Sequence, residues 1–163
     1  MAGAGAKIME RIAEPVTEAE PVVRLLGGAK TLRRRISTAL DAHEVIERGM
    51  PAEALHHLVE SMQVLDFETS VVKGIGVSLR TFQRSKVHPE RALSVDAGGR
   101  TWKLAEILAK ATEVFGSRPA AERWLESAAV GLNQYRPIDL LATPAGTELV
   151  DDYLGRIEYG VYT

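Results

Sequence analysis

The stretch TWKLAEILAKATEVFG, Thr101 to Gly116, sets the fold class. Trp102, Ala105, Leu108, Thr112 and Phe115 recur at three- and four-residue intervals, and Leu104, Ile107 and Ala111 widen that line into an apolar stripe. This spacing predicts one amphipathic helix, with Gly116 as its stop. No convincing pair of alternating strands and no internal repeat accompany it, so the expected fold is all-α.

Shorter helices flank this one. SRPAAERWLES comes next, with Ser117 as a cap and Trp124 and Leu125 facing inward. Upstream, a helical period is steady from Asp41 and ends at Gly49, and Pro51 opens another helix with Leu55, Leu58, Val59 and Met62 on one side. Pro21 opens a short helix through Val22, Val23, Leu25 and Leu26, which Gly27 and Gly28 end. The arginines of TLRRRIST read as an exposed, solvated basic face. The first residues, MAGAGAKIMERIAEPVTEAEPVV, carry acids and no long apolar core, so they read as a mobile leader and not a signal peptide.

Composition narrows the function classes. The chain has 163 residues, 45% hydrophobic and 26% charged, which suits one domain or two small ones sharing a core. It has no cysteine, so disulfides and thiolate zinc sites are excluded, and a reducing cytoplasm is the simplest compartment. No apolar run approaches the roughly 18 residues of a membrane span. A net charge of −2 argues against a protein that coats nucleic acid with its whole surface, but leaves room for a local basic face.

Such a face is visible in FETSVVKGIGVSLRTFQRSK, which has the layout of a helix-turn-helix. Gly76 falls where the tight turn tolerates no Cβ, and Val71, Ile75, Val77 and Phe82 fall where the two helices would meet. Ser78 would cap the second helix, and Arg80, Thr81, Gln83, Arg84 and Lys86 come after it. Arginine and glutamine read guanine and adenine edges, and no Asp or Glu occurs between Thr69 and Pro89. Ser78, Arg80, Thr81, Gln83, Arg84 and Lys86 are therefore the candidate DNA-binding residues. Two positions depart from the usual motif: Val72 where alanine is preferred, and Ser85 where an apolar residue is usual.

Catalytic and metal signals are weak. His56 and His57 are adjacent and would point about 100° apart on a helix. His43 and His88 show no acidic or histidine partner at ligand spacing. GAGAK lacks the preceding strand and the second half of a phosphate loop, and no serine or histidine lies in a nucleophile motif. No enzyme, metal site or cofactor is expected.

The C-terminal third begins with a Pro137 corner and the apolar turn Ile138, Leu140 and Leu141. Thr143 offers an N-cap and Pro144 a first helical residue. The last helix should carry Leu149, Val150, Tyr153, Leu154 and Ile157 on one face, with Arg156 off that stripe and Gly160 as the stop. An apolar and aromatic run, Ile157, Tyr159, Val161 and Tyr162, then reaches almost to Thr163. Tyrosines bury large rings at small entropic cost, and Asp151, Asp152 and Glu158 make this segment acidic.

The pieces GIGVSLRTFQR, AKATEVFG, AERWL, RPIDLLATPAG and LVDDYLGRIEYGVYT occur in an order and spacing that resemble the antitoxins of RES–Xre toxin–antitoxin modules. These carry an Xre/MbcA/ParS-type toxin-binding domain. The resemblance covers roughly Gly49 to Thr163, and departs at Asn133-Gln134, where the family often has Gly-Gly. It implies a dimeric antitoxin of a type II system, binding the operator DNA of its own operon. It also implies a RES-domain toxin that depletes NAD, whose active-site cleft the antitoxin's C-terminal region covers. The toxin-binding residues would be Asp152, Arg156, Ile157, Tyr159, Gly160, Val161, Tyr162 and Thr163. The implied division is a leader and short helix at 1–30, a helix-turn-helix domain with its following long helix at 31–116, and a toxin-binding domain at 117–163. The competing reading is a stand-alone helix-turn-helix regulator whose C-terminal half only dimerises.

Overall fold

The computed structural model of the chain describes residues 19–66 and 70–160. The leader up to residue 18 and the expected contacts Val161, Tyr162 and Thr163 lie outside the described residues. Among the described residues the elements are helices α1 (Ala19–Leu25), α2 (Gly28–Leu32), α3 (Ala39–Gly49), α4 (Ala52–Glu60), α5 (Val72–Ile75), α6 (Leu79–Ser85), α7 (Val95–Phe115) and α8 (Arg118–Glu126). A 3-10 turn (Val130–Leu132), α9 (Pro137–Leu140) and α10 (Pro144–Glu158) complete them. The fold is all-α.

α7 is the axis. α1, α3, α5, α8 and α10 all pack on it, and its Leu104, Ala105, Ile107, Leu108 and Ala111 are buried. Against it lie Val22, Val45, Ile75, Leu125 and Leu154, so one apolar cluster joins the two halves of the chain. The helix begins at Val95, with Ser94 as N-cap, two turns before the stretch that is most periodic in sequence. Gly98 and Gly99 disfavour a helix on propensity alone. Gly98 is buried, and a Cβ there would meet that of Met50, just past α3, at an ordinary contact distance of 3.5 Å.

Local signals place most of the other ends. Ser117 accepts from Ala120 N at the start of α8, Thr143 accepts from Gly146 N at the start of α10, and Gly116 closes α7 at φ 82°. Thr38 and Asp41 form a capping box at α3. The Ser37 amide, with the Thr38 hydroxyl, holds the Asp41 carboxyl below its ordinary value. The TLRRRIST segment differs from its solvated reading. Thr31 and Leu32 are buried, and Arg34 pairs with Glu44 and, at 3.0 Å, with Asp41. Only Arg33 and Arg35 of the three arginines are exposed.

Candidate functional site

α5 and α6 meet at a turn in which Gly76 adopts φ 69°, a left-handed conformation that a Cβ strains. Val71, Ile75, Val77 and Phe82 are buried along the seam, as their positions predict. Ser78 caps α6, its Oγ accepting from Thr81 N at 3.1 Å. Ser78, Arg80, Thr81, Gln83, Arg84 and Lys86 are all exposed and share this short helix and its ends. Lys86 Nζ lies 5.2 Å from the Phe82 ring centroid, within cation–π range.

Ser85 has a partner that accounts for its departure from the motif. Its hydroxyl donates to Phe82 O at 2.7 Å, and Oγ lies 2.9 Å from Nε2 of the buried His56. With the serine proton committed to that carbonyl, Nε2–H is the donor to Oγ. Burial pushes the His56 pKa below the usual 6.5, aided by Lys86 and His57; Ser85 and Glu60 act in the opposite sense. A groove of about 660 Å³ runs between α6 and residues 87–94, and brings Arg91 opposite Ser78, Thr81 and Arg84. Neither His56 nor Arg91 is singled out by local sequence. Ser85 is the one trace, a polar residue where an apolar one is usual.

At the other end, α10 buries Val150 and Leu154 and half-buries Tyr153 and Ile157. Tyr153 stacks on Trp124 at 6.2 Å between centroids, and Trp124 lies 5.2 Å from Phe115. Leu149 departs from the expected stripe and is 55% exposed. Adjacent helical residues are about 100° apart, and a face centred on Val150 and Leu154 leaves Leu149 at its rim. Arg156 and Asp152 are exposed, Tyr159 is 80% exposed, and Gly160 comes next at φ 68°. Lys110 Nζ bonds Asp151 O at 3.1 Å and Asp151 Oδ1 at 3.0 Å, which ties α7 to α10. Lys110, Asp151, Asp152, Gly155, Arg156 and Tyr159 line one shallow depression of about 320 Å³. Of the expected toxin contacts, Asp152, Arg156 and Tyr159 are thus brought together, while Ile157 is half-buried and does not line this depression.

Two further links join these regions. α9 seats on α5, where a Cβ on Gly74 would stand 3.8 Å from Leu141 Cβ. Glu122 of α8 is fully buried, and its Oε2 accepts from Gln63 N and Leu65 N, each at 2.9 Å, and from Val64 N between them. Three successive amides around one carboxylate form an anion nest in which the anion is a side chain. Arg118 reaches Ser61 Oγ at 3.2 Å, and burial lowers its pKa against the pull of Glu122. This buried carboxylate is invisible in AERWLES, where it reads as one more solvated glutamate.

The histidines have single carboxylate neighbours: His43 lies 3.6 Å from Glu47, and His88 3.2 Å from Glu90. This corrects the expectation that both lack acidic partners. Among the described residues no group of three or more His, Asp or Glu is placed to hold a metal ion. None of their helices is long and apolar enough to cross a membrane.

Known proteins match in the same regions. Residues 110–160 match the antitoxin Xre/MbcA/ParS C-terminal toxin-binding domain. An antitoxin Xre of Pseudomonas putida is 29% identical over 125 residues, covering 77% of this chain and 76% of that protein. An antitoxin Xre of Yersinia enterocolitica is 26% identical over 132 residues, covering 72% of this chain and 88% of that protein. The matched domain contains the whole of α8, α9 and α10 and the depression around Arg156. The long alignments also reach upstream of α7, because 77% and 72% of the chain are more than the stretch from Val95 to the last residue. Over most of its length the chain is thus similar to Xre-type antitoxins, and its C-terminal part to a toxin-binding domain of that type.

Proposed function

We propose that this antitoxin neutralises a RES-domain toxin that depletes NAD, and that it represses its own operon by binding DNA. The observation that carries the first half is the exposed run Asp152, Arg156 and Tyr159 inside the matched toxin-binding domain. Tyr159 offers a large solvated ring with its hydroxyl, and Arg156 a planar donor fork. A cleft built to hold a dinucleotide presents donors for phosphate and a flat apolar slot for a ring. Glu158 would supply the anion, and Tyr159 the ring. Gly160, in the left-handed region, ends the helical path of α10 just beyond that tyrosine.

The second half rests on the exposed α6 face, with Arg80 and Gln83 set to meet base edges and Arg84, Lys86 and Ser78 the backbone. A single helix of this length covers too little DNA for high specificity. A homodimer on an inverted repeat, with half-sites about 34 Å apart, fits the purpose.

The test is a truncation ending at Glu158, co-expressed with the RES-domain product of the adjacent gene. The intact chain should preserve cellular NAD. The truncation should lose that protection while melting within about 2 °C of the intact protein, since Tyr159 is solvated. A truncation that melts normally and still protects would remove the tail from the interface. An intact chain that never protects would leave a DNA regulator alone.

A further inference from the structure

The loop after α6 is fastened to the start of α4 in an unusual way. Pro51 stands at the N-cap of α4, where it offers no side-chain acceptor for the first free amides. The loop supplies them instead: Ala52 N donates to Arg91 O at 2.8 Å and Glu53 N to Pro89 O at 2.9 Å. Leu93 N returns a bond to Met50 O at 2.8 Å, and Pro51 and Ala92 form an isolated antiparallel bridge. Gly49 allows this approach, since a Cβ there would stand 2.6 Å from Ala92 Cβ. Residues 89–93 are therefore a fixed platform, and Arg91 is exposed upon it.

Arg91 and Arg84 line the same polar groove, with Ser78 and Thr81 beside Arg84. Neither guanidinium has a carboxylate within ion-pair distance among the described residues, whereas Arg24, Arg34, Arg100, Arg136 and Lys110 each hold one. Glu90, the acid next to Arg91 in sequence, is engaged by His88 Nδ1 at 3.2 Å. Two unpaired guanidinium groups lining one groove repel each other unless an anion lies between them. Guanidinium forks match the paired oxygens of a phosphate, and the flanking hydroxyls suit the same ligand.

We propose that this groove is a phosphate clamp, in which Arg91 and Arg84 together grip a backbone phosphate of the duplex that α6 enters. The proposal rests on the DNA-binding reading of α6. It adds a contact from outside the helix-turn-helix, placed by the capping of α4. Arg84 then acts on the backbone and not on a base. Its loss weakens all sequences alike, and base reading is left to Arg80 and Gln83.

The experiment uses the full chain and a mixed-sequence DNA duplex, with affinity followed across a salt series. Each phosphate contact contributes about 0.9 to the slope of log affinity against log salt. Arg91→Ala and Arg84→Ala should each lower that slope by about 0.9, and Arg91→Lys should restore most of it. An Arg91→Ala slope equal to that of the parent, while Arg80→Ala weakens binding, would overturn the clamp and leave DNA binding standing. A parent chain with no affinity for duplex at low salt would overturn both. Inorganic phosphate is the second probe. Saturable binding of it that Arg91→Ala abolishes, with an unchanged duplex slope, would assign the groove to a small anion and overturn the DNA assignment.

Discussion

His56 meets α6 on two sides, with Nε2 2.9 Å from Ser85 Oγ and its ring 4.5 Å from that of Phe82. Its proton uptake is disfavoured by burial in the folded chain, so as pH falls below 6.5 the unfolded chain protonates first. The stability that a neutral His56 contributes is complete above 6.5 and is lost as pH falls toward the lowered folded value. Thermal melting should therefore decline between about pH 7 and pH 5.5, and His56→Gln, which keeps a donor but does not titrate there, should flatten that decline. Equal slopes in the two proteins would remove His56 as the source. Sequence spacing reaches half of this arrangement. Ser85 is visible as a polar residue at an apolar position, but its partner lies 29 residues upstream, beyond any local periodicity. Asn133 and Gln134 are a similar case. Both adopt positive φ, 52° and 65°, which is the conformation that a Gly-Gly pair would hold without strain.

Helices are legible where a cap, a stop and a period agree, as in α8 with Ser117 and in α10 with Thr143 and Pro144. They are less so where packing overrides propensity. Gly98 and Gly99 lie inside α7, where the packing of the whole helix outweighs their poor propensity, and nothing in VDAGG announces it. The rim position of Leu149 depends on which residue centres the buried face of α10, and that is set by α7, α9 and the 3-10 turn. Glu122 is the sharpest instance, since its three donors belong to a segment between α4 and α5. Replacing it with alanine takes the acceptor from three amides, that of the buried Leu65 among them. Glu122→Ala should cost about 3 kcal/mol, and lower the melting temperature by about 10 °C. Glu122→Gln should cost less, because an amide oxygen still accepts. Calorimetry on the three proteins checks the order, and an Ala variant as stable as the parent would mean that water replaces the carboxylate.

At the scale of the whole molecule, the all-α class and the order of helices are readable in the sequence, but the contact of α9 with α5 is not. It joins residues such as Gly74 and Leu141, which share no local pattern. Together with the shared axis α7, that contact makes the proposed DNA-binding and toxin-binding parts one cooperative body. Trp102 is buried on α7 and Trp124 half-buried on α8, so fluorescence samples that axis while circular dichroism samples every helix. Denaturant unfolding should give coincident transitions by the two signals. Two separated midpoints would show that the parts unfold independently.

The shared axis also bears on how such proteins diverge. α7 packs against α3 and α5 as well as against α8 and α10, so it cannot drift without both sets of partners drifting too. A recombinant spliced at Gly116 would graft a foreign α8 onto an unmatched α7. New pairings of the proposed operator and toxin specificities are thus more easily reached by changing exposed side chains on α6 and α10 than by trading halves.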